Sequence, residues 1–179
     1  MPRKLFLLVI AVFFAVAATA SPALAAVNVK SYPVASFSGD TVTLTGGNFS
    51  GLGSVPAIAE FQVTAGVATY TCTNPNGNPS PGQNPVPAQP GPVSTQDLGN
   101  ADHKGRGTIS DLSAHVTAPP TPTATAAGCG GGGAAAQGKW TVTQSSLTAT
   151  AAHLEIKQGG TTVFCRNYTA TGPAIGTAC

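Results

Sequence analysis

Charge is scarce in this sequence of 179 residues: charged side chains make up 8% of it, eight basic against six acidic. Two of the eight, Arg3 and Lys4, belong to an N-terminal segment with the pattern of an export signal. Without them, six basic residues (Lys30, Lys104, Arg106, Lys139, Lys157, Arg166) oppose six acidic ones (Asp40, Glu60, Asp97, Asp102, Asp111, Glu155), and the formal charge falls from +2 to zero. A neutral chain with dispersed charges has no electrostatic footprint for nucleic acid and no basic cluster for anionic lipid. Its solubility must rest on the abundant Thr, Ser, Asn and Gln. Long apolar runs are missing too. The longest, Leu5 to Ala17, has 13 residues, whereas a bilayer core of ~30 Å needs about 20. Beyond it no stretch sustains apolar residues at helical spacing, and Thr, Gly and Pro are too frequent for helix interiors. Cysteine is limited to four residues with no C-x-x-C, which leaves zinc ribbons and thioredoxin-like redox sites without support.

What is present begins with export. A short basic start, the apolar run and "SPALAA", with Ala23 and Ala25 in the small-x-small pattern, place a cleavage site after Ala25. The expected organisation is a signal-peptide helix over residues 1–25 and a single secreted domain over 26–179. A domain of that size buries about two-thirds of the surface its unfolded chain exposes. In a secreted chain four cysteines are expected to form two disulfides, for which three pairings exist.

The body of the chain alternates with the period of β-strands. "TVTLTGGNF" sets Val42 and Leu44 on one face. "AIAEFQVTAGVATYTC" carries Ala59, Phe61, Val63, Ala65 and Val67 on odd positions, then Ala68, Tyr70 and Cys72 on even ones. A one-residue slip reverses the faces of a strand, so a bulge or tight bend is expected near Gly66. "TISDLSAHVT" offers Leu112, Ala114 and Val116, and "KWTVTQ" offers Trp140 and Val142. "AAHLEIKQGGTTVFCRNY" has the pattern of a hairpin. Ala152, Leu154 and Ile156 face inward on its first arm, and Val163 with Cys165 alternate on its second. Phe164, Arg166 and Tyr168 then share the other face, which makes Phe164 and Tyr168 the aromatics expected nearest solvent. Trp140 and Tyr70 are expected to be buried. Short strands with turn residues between them predict an all-β fold, an immunoglobulin-like antiparallel β-sandwich of about seven strands with Greek-key connections.

Two tracts interrupt this pattern. Pro75 to Pro92 holds seven prolines, and Thr117 to Gly138 is rich first in Pro, then in Gly and Ala. Composition alone would make both linkers. Linkers there would leave pieces too small for a good core, so both are expected to be long loops of one domain. In "CTNPNGNPSPGQNP", which opens at Cys72, proline fixes φ at four positions. Gly77 and Gly82 are available for positive φ, and the Asn side chains can satisfy turn backbone.

No catalytic, metal-binding or cofactor-binding residue set emerges. His103 lies in a polar loop beside Asp102 and Lys104, the densest ionisable cluster. Alternation turns His115 and His153 to solvent, and no two histidines have ligand spacing. No G-x-S-x-G is present; "GNFSG", Gly47 to Gly51, is one residue out of register. Six scattered acids do not suggest a glycosidase pair. "NFS" at Asn48 and "NYT" at Asn167 are N-glycosylation sequons.

Cys72 to Pro85, "HKGRGTIS" with Lys104 and Arg106, and Cys129 followed by Trp140 together resemble a pattern in small secreted actinobacterial proteins of unknown function. That pattern has a Cys, an Asn-Gly-Gly-Asn-like turn, Ala-Pro-Gly-Gln-Asn, a charged stretch, and later a Cys shortly before a Trp that begins a strand. The resemblance runs from about Gly46 to Cys165. Asn76 replaces the first glycine of the turn, Ser80 stands in place of alanine, and "GGGGAAA" lengthens the Cys-to-Trp stretch. The resemblance implies a secreted β-rich domain, a Cys72–Cys129 bridge, and a bacterial source in which the sequons go unused. Cys165 and Cys179 would then form the other pair. It carries no known activity, so no catalytic residue transfers. The expected function is that of a monomeric, non-catalytic extracellular binding or structural module without a cofactor. Its partner would be an extracellular protein, glycan or cell-wall component, and it would not insert stably in a membrane. A small-ligand carrier similar to neocarzinostatin-type apoproteins is the alternative, and a secreted hydrolase comes third.

Overall fold

The computed structural model describes residues 27–52, 55–99, 105–130 and 139–179. The export signal and the Asp102–His103–Lys104 cluster lie outside the described residues. Among those described, the regular elements are thirteen β-strands: β1 (Asn28–Ser31), β2 (Val34–Ser38), β3 (Thr41–Thr45), β4 (Asn48–Ser50), β5 (Ala57–Thr73), β6 (Pro79–Pro81), β7 (Val86–Pro87), β8 (Ser94–Asp97), β9 (Gly107–Thr108), β10 (Leu112–His115), β11 (Thr141–Gln158), β12 (Thr161–Thr169) and β13 (Thr177–Ala178). Every pairing is antiparallel. Two three-stranded sheets, β1-β4-β9 and β10-β3-β2, accompany a large one ordered β13-β12-β11-β5, with β6, β7 and β8 each on the free edge of β5. No described helix is long and apolar enough to cross a membrane.

The strands outnumber the expected seven, in part because the proline tract is not a loop. Together with the residues that follow it, as far as Asp97, it runs back along β5 as an edge strand cut into three pieces, pairing at Thr73↔Pro79, Ala68↔Val86 and Ile58↔Asp97 among others. Proline has no N–H to give a ladder, so a sheet accepts it only along such an edge. The turn that starts the tract is closed by Asn74, whose Oδ1 accepts from the backbone N–H of Asn76 and Asn78 at 3.0 and 2.9 Å. Gly77 adopts a φ of +80°. Gly82 differs from expectation: its φ is not positive. It is needed for close approach instead, since a Cβ there would stand 3.0 Å from the carbonyl oxygens of both Ala127 and Tyr70.

β5 and β11 pair along almost their whole length, from Ala57↔Gln158 to Thr73↔Thr141. The "TVTQ" of "KWTVTQ" and all of "AAHLEIKQ" thus belong to one strand, which begins just after Trp140. The slip expected near Gly66 is present. Buried positions of β5 run Ala57, Ala59, Phe61, Val63, then Gly66, Ala68, Tyr70, Cys72. The ladder is irregular at the same level, where Thr64 and Thr150 have no partner across the strands. These bulges keep the buried set continuous along the strand while its parity changes.

The main core lies where Phe61, Val63, Leu154, Ile156 and Tyr168 of the large sheet meet Val42, Leu44 and Phe49 of the small ones. A second, smaller cluster of Ala68, Tyr70, Ala124, Ala127 and the Cys72–Cys129 bridge lies under the two long tracts. Leu147 packs against both. The other disulfide joins Cys165 of β12 to Cys179, with Cα atoms 5.8 Å apart. Two disulfides suit an oxidising, extracellular type of environment.

The β11–β12 hairpin forms as expected, but the faces of β12 are the reverse of those expected. Pairing passes from Ile156↔Phe164 directly to Lys157↔Thr162. The unpaired Val163 is a bulge that shifts every later side chain to the opposite face. Phe164, Arg166 and Tyr168 therefore lie opposite Ile156, Leu154 and Ala152, and Tyr168 is 1% exposed. Cys165 takes the outer face, opposite Glu155. The Tyr168 ring meets Phe61 edge-on, with centroids 6.4 Å apart, while its hydroxyl is buried with no hydrogen-bond partner among the described residues. Burial pushes its pKa up to about 12. A buried hydroxyl without a partner costs ~1–3 kcal/mol of desolvation. Tyr168→Phe retains the ring contact and removes that cost, so we predict an unfolding midpoint in urea equal to or above the parent's. A loss above about 1 kcal/mol would mean that the hydroxyl is bonded in the native state.

Candidate functional site

The large sheet buries one face, and the other carries the polar side chains. Bulges near its middle divide that outer face into two unlike halves.

At the β12 end, alternation on β11 puts His153, Glu155 and Lys157 on the outer face, with Glu60 of β5 directly across from Glu155. Lys157 Nζ stands 2.7 Å from Glu60 Oε2 and 3.2 Å from Glu155 Oε2. His153 Nε2 is 3.3 Å from Glu155 Oε1, and its Nδ1 is 2.7 Å from Asn167 Oδ1. The Cys179 sulfur lies 3.9 Å from the same nitrogen. The hydrogen bond from His153 holds the Glu155 carboxyl below the ordinary carboxylate range, against the opposing effect of desolvation and with help from Lys157. Hydrogen bonds to Glu60 and Glu155 raise the Lys157 ammonium above its ordinary value. The acids of the row are thus already engaged by donors. A carboxylate held low by its neighbours is a poor general base near neutral pH.

At the other end the outer face has hydroxyls in place of charges. Thr73 faces Thr141, Thr71 faces Thr143, and Thr69 faces Ser146 across β5 and β11. Ser145 is an extra residue in β11, because the ladder steps from Gln144↔Tyr70 to Ser146↔Thr69. The Thr69 hydroxyl lies 2.9 Å from that of Ser145 and 2.6 Å from that of Ser146. β6 forms the wall, with Pro81 beside Thr71 and Pro79 beside Thr73. Together Thr69, Thr71, Pro79, Ser80, Pro81 and Ser145 line a groove of about 520 Å³.

The other residues singled out in the sequence are scattered. His115 is exposed on β10, in a different sheet from His153. Among the described residues no three His, Cys, Asp or Glu side chains come together as metal ligands. Asn48 binds Ser31 and Thr108 across β4. Trp140 is half-buried against the second cluster, and Tyr70 is buried there as expected. Tyr32, by contrast, is 40% exposed, with the Arg166 guanidinium 3.9 Å above its ring. The groove is the feature the sequence did not announce. Alternation of Thr69, Thr71 and Thr73 was the available signal, but only the pairing of β6 with them creates a wall.

In comparisons with known protein-family models, curated proteins and solved structures, the chain has no match.

Proposed function

We propose that this protein is a secreted, monomeric, non-catalytic binding module of immunoglobulin-like β-sandwich type, acting outside the cell through the open face of its large sheet. The observation that carries this reading is the division of that face. One half holds its charges paired with one another, and the other presents a groove of hydroxyls with no Asp, Glu, His, Lys or Arg among its lining residues. Acid–base and nucleophilic catalysis require a base within reach of a nucleophile, and the lining of the groove, among the described residues, includes no Asp, Glu, His or Lys. Export, suggested by the N-terminal pattern, and two disulfides agree with an extracellular partner: a protein, a glycan or a cell-wall component. The test is saturable binding to isolated cell-wall material, immobilised glycans or extracellular proteins, with substrate turnover followed in the same samples. Binding without turnover is expected. Turnover abolished by changing a single side chain would replace this reading with that of an enzyme.

A further inference from the structure

We infer that the groove between β6 and the paired Thr rows of β5 and β11 is a binding site for an uncharged glycan. This rests on the binding-module reading and gives it a place and a ligand class.

The first argument is the absence of a counter-charge. Every lining residue is Thr, Ser, Pro, Gly or Tyr. The acids and bases of the same face, Glu60, His153, Glu155 and Lys157, lie beyond the central bulges and already face one another. A phosphate, carboxylate, sulfate or ammonium entering the groove would lose hydration with no ion to replace it. A neutral ligand pays no such penalty.

Stereochemistry narrows the class further. Facing residues sit on strands ~4.8 Å apart, and successive outward residues along a strand are ~6.7 Å apart. Inside the groove Thr69, Thr71 and Ser145 present hydroxyls, and Thr73/Thr141, Thr143 and Ser146 continue that pattern on the adjoining outer face, each hydroxyl able to donate and to accept. A sugar chain offers the matching chemistry, with hydroxyls of the same dual character repeating along its length. The rings of Pro79 and Pro81 add apolar surface for its C–H faces. A peptide strand has less to bind, because β5 is already paired on both sides and the edge strand β6 has proline at two of its three positions, which have no N–H to offer an added strand.

The site is also held in place before any ligand arrives. Thr69 is fixed by two serine hydroxyls. The wall is tied down by the Gly82 N–H, which donates to Tyr70 O at 2.7 Å, and by the Cys72–Cys129 bridge beneath it. Short side chains in a fixed frame lose little entropy on binding.

The experiment is affinity electrophoresis of the full chain in native gels containing a β-1,3-glucan, an α-mannan, an arabinogalactan or a dextran, with alginate as the anionic comparison. At least one neutral glycan is expected to retard the protein, with little dependence on salt. Thr71→Val with Ser145→Ala removes two hydroxyls without changing charge. Each lost hydrogen bond is worth roughly two- to tenfold, so about tenfold weaker retardation is expected of the pair, with the protein still folded and its unfolding midpoint lowered by no more than the loss of the exposed Thr69–Ser145 hydrogen bond. Lys157→Ala, on the charged half, should bind as the parent does. Retardation by none of the neutral glycans, or by alginate alone, overturns the proposal. Retardation untouched by the double variant also overturns it, while leaving the binding-module reading intact. Hydrolysis of a retained glycan would instead remove the binding-module reading itself.

Discussion

Replacing Cys72 and Cys129 together by alanine should lower the free energy of unfolding by about 4 kcal/mol. The bridge spans 57 residues, and the loop-closure entropy it removes from the unfolded chain corresponds to about 4 kcal/mol. A domain has 5–15 kcal/mol in total, so the variant would retain a small margin. The structure explains why the loss should also be local. Both cysteines are buried, at 0% and 1% exposure, and with Tyr70, Ala68, Ala124 and Ala127 they are most of what the second cluster has to bury. Besides the bridge, the two tracts are tied to each other at Gln89 and Thr117, which exchange backbone hydrogen bonds, and through Asn84. Its backbone N–H donates to Ala127 O and its side-chain amide to Ala126 O, both at 3.2 Å. Urea unfolding measures the total. Hydrogen exchange should show early loss of protection over Cys72–Pro87 and Thr123–Cys129, with the β11–β12 hairpin still protected. Retention of stability to within about 1 kcal/mol would mean that the tracts are held by something other than this bridge. The Cys165–Cys179 pair closes only 14 residues, worth about 3 kcal/mol by the same reasoning, and its loss should free the C-terminal strand β13 alone.

How much of this was legible in the sequence depends on which interactions are local. The parity change between Val63 and Ala68 could be read because apolar residues stand on one parity before it and on the other after it. The reversal in β12 could not. In "TTVFCRNY" both parities carry apolar residues, Val163 and Cys165 on one, Phe164 and Tyr168 on the other. One unpaired residue decided between them, and pairing is a property of two strands. The same limit applies to the polar side chains. His153, Glu155 and Lys157 were visible as an outward row, but Glu60 and Asn167 join them only through the register of β5 and β12. The proline tract shows the limit most clearly. Composition resolves it as a linker or a loop, and neither describes a broken edge strand that walls a groove. What the sequence did carry there was chemistry: "CTNPNGNPSPGQNP" has no charge, and the groove it helps form inherits that neutrality.

Gly91→Ala is the substitution that tests how that tract is seated, and we expect it to cost about 3 kcal/mol, the upper end of the usual range for overpacking. Gly91 lies between Pro90 and Pro92, where the chain passes between β5 and β10. Its N–H donates to Val63 O at 3.0 Å, and its carbonyl accepts from Gln62 Nε2 at 2.8 Å. Two residues earlier Gln89 exchanges backbone hydrogen bonds with Thr117, both at 2.9 Å. A Cβ on Gly91 would fall 1.6 Å from the carbonyl oxygen of His115. That obstacle is backbone, pinned by the β10–β3 ladder, so no rotamer change relieves it. Either the tract lifts from β5 and loses the bonds to Val63 and Gln62, or β10 shifts and disturbs Leu112, Ala114 and Val116 in the main core. Gly77 supplies the contrast. A Cβ there meets nothing within 4 Å, and Gly77→Ala is opposed only by its φ of +80°, a penalty of ~1–2 kcal/mol. A larger loss for Gly91→Ala than for Gly77→Ala in urea unfolding is the expected result. The reverse order, or a Gly91→Ala protein as stable as the parent, would mean that the tract does not run between β5 and β10. The wall of the groove would then need another support.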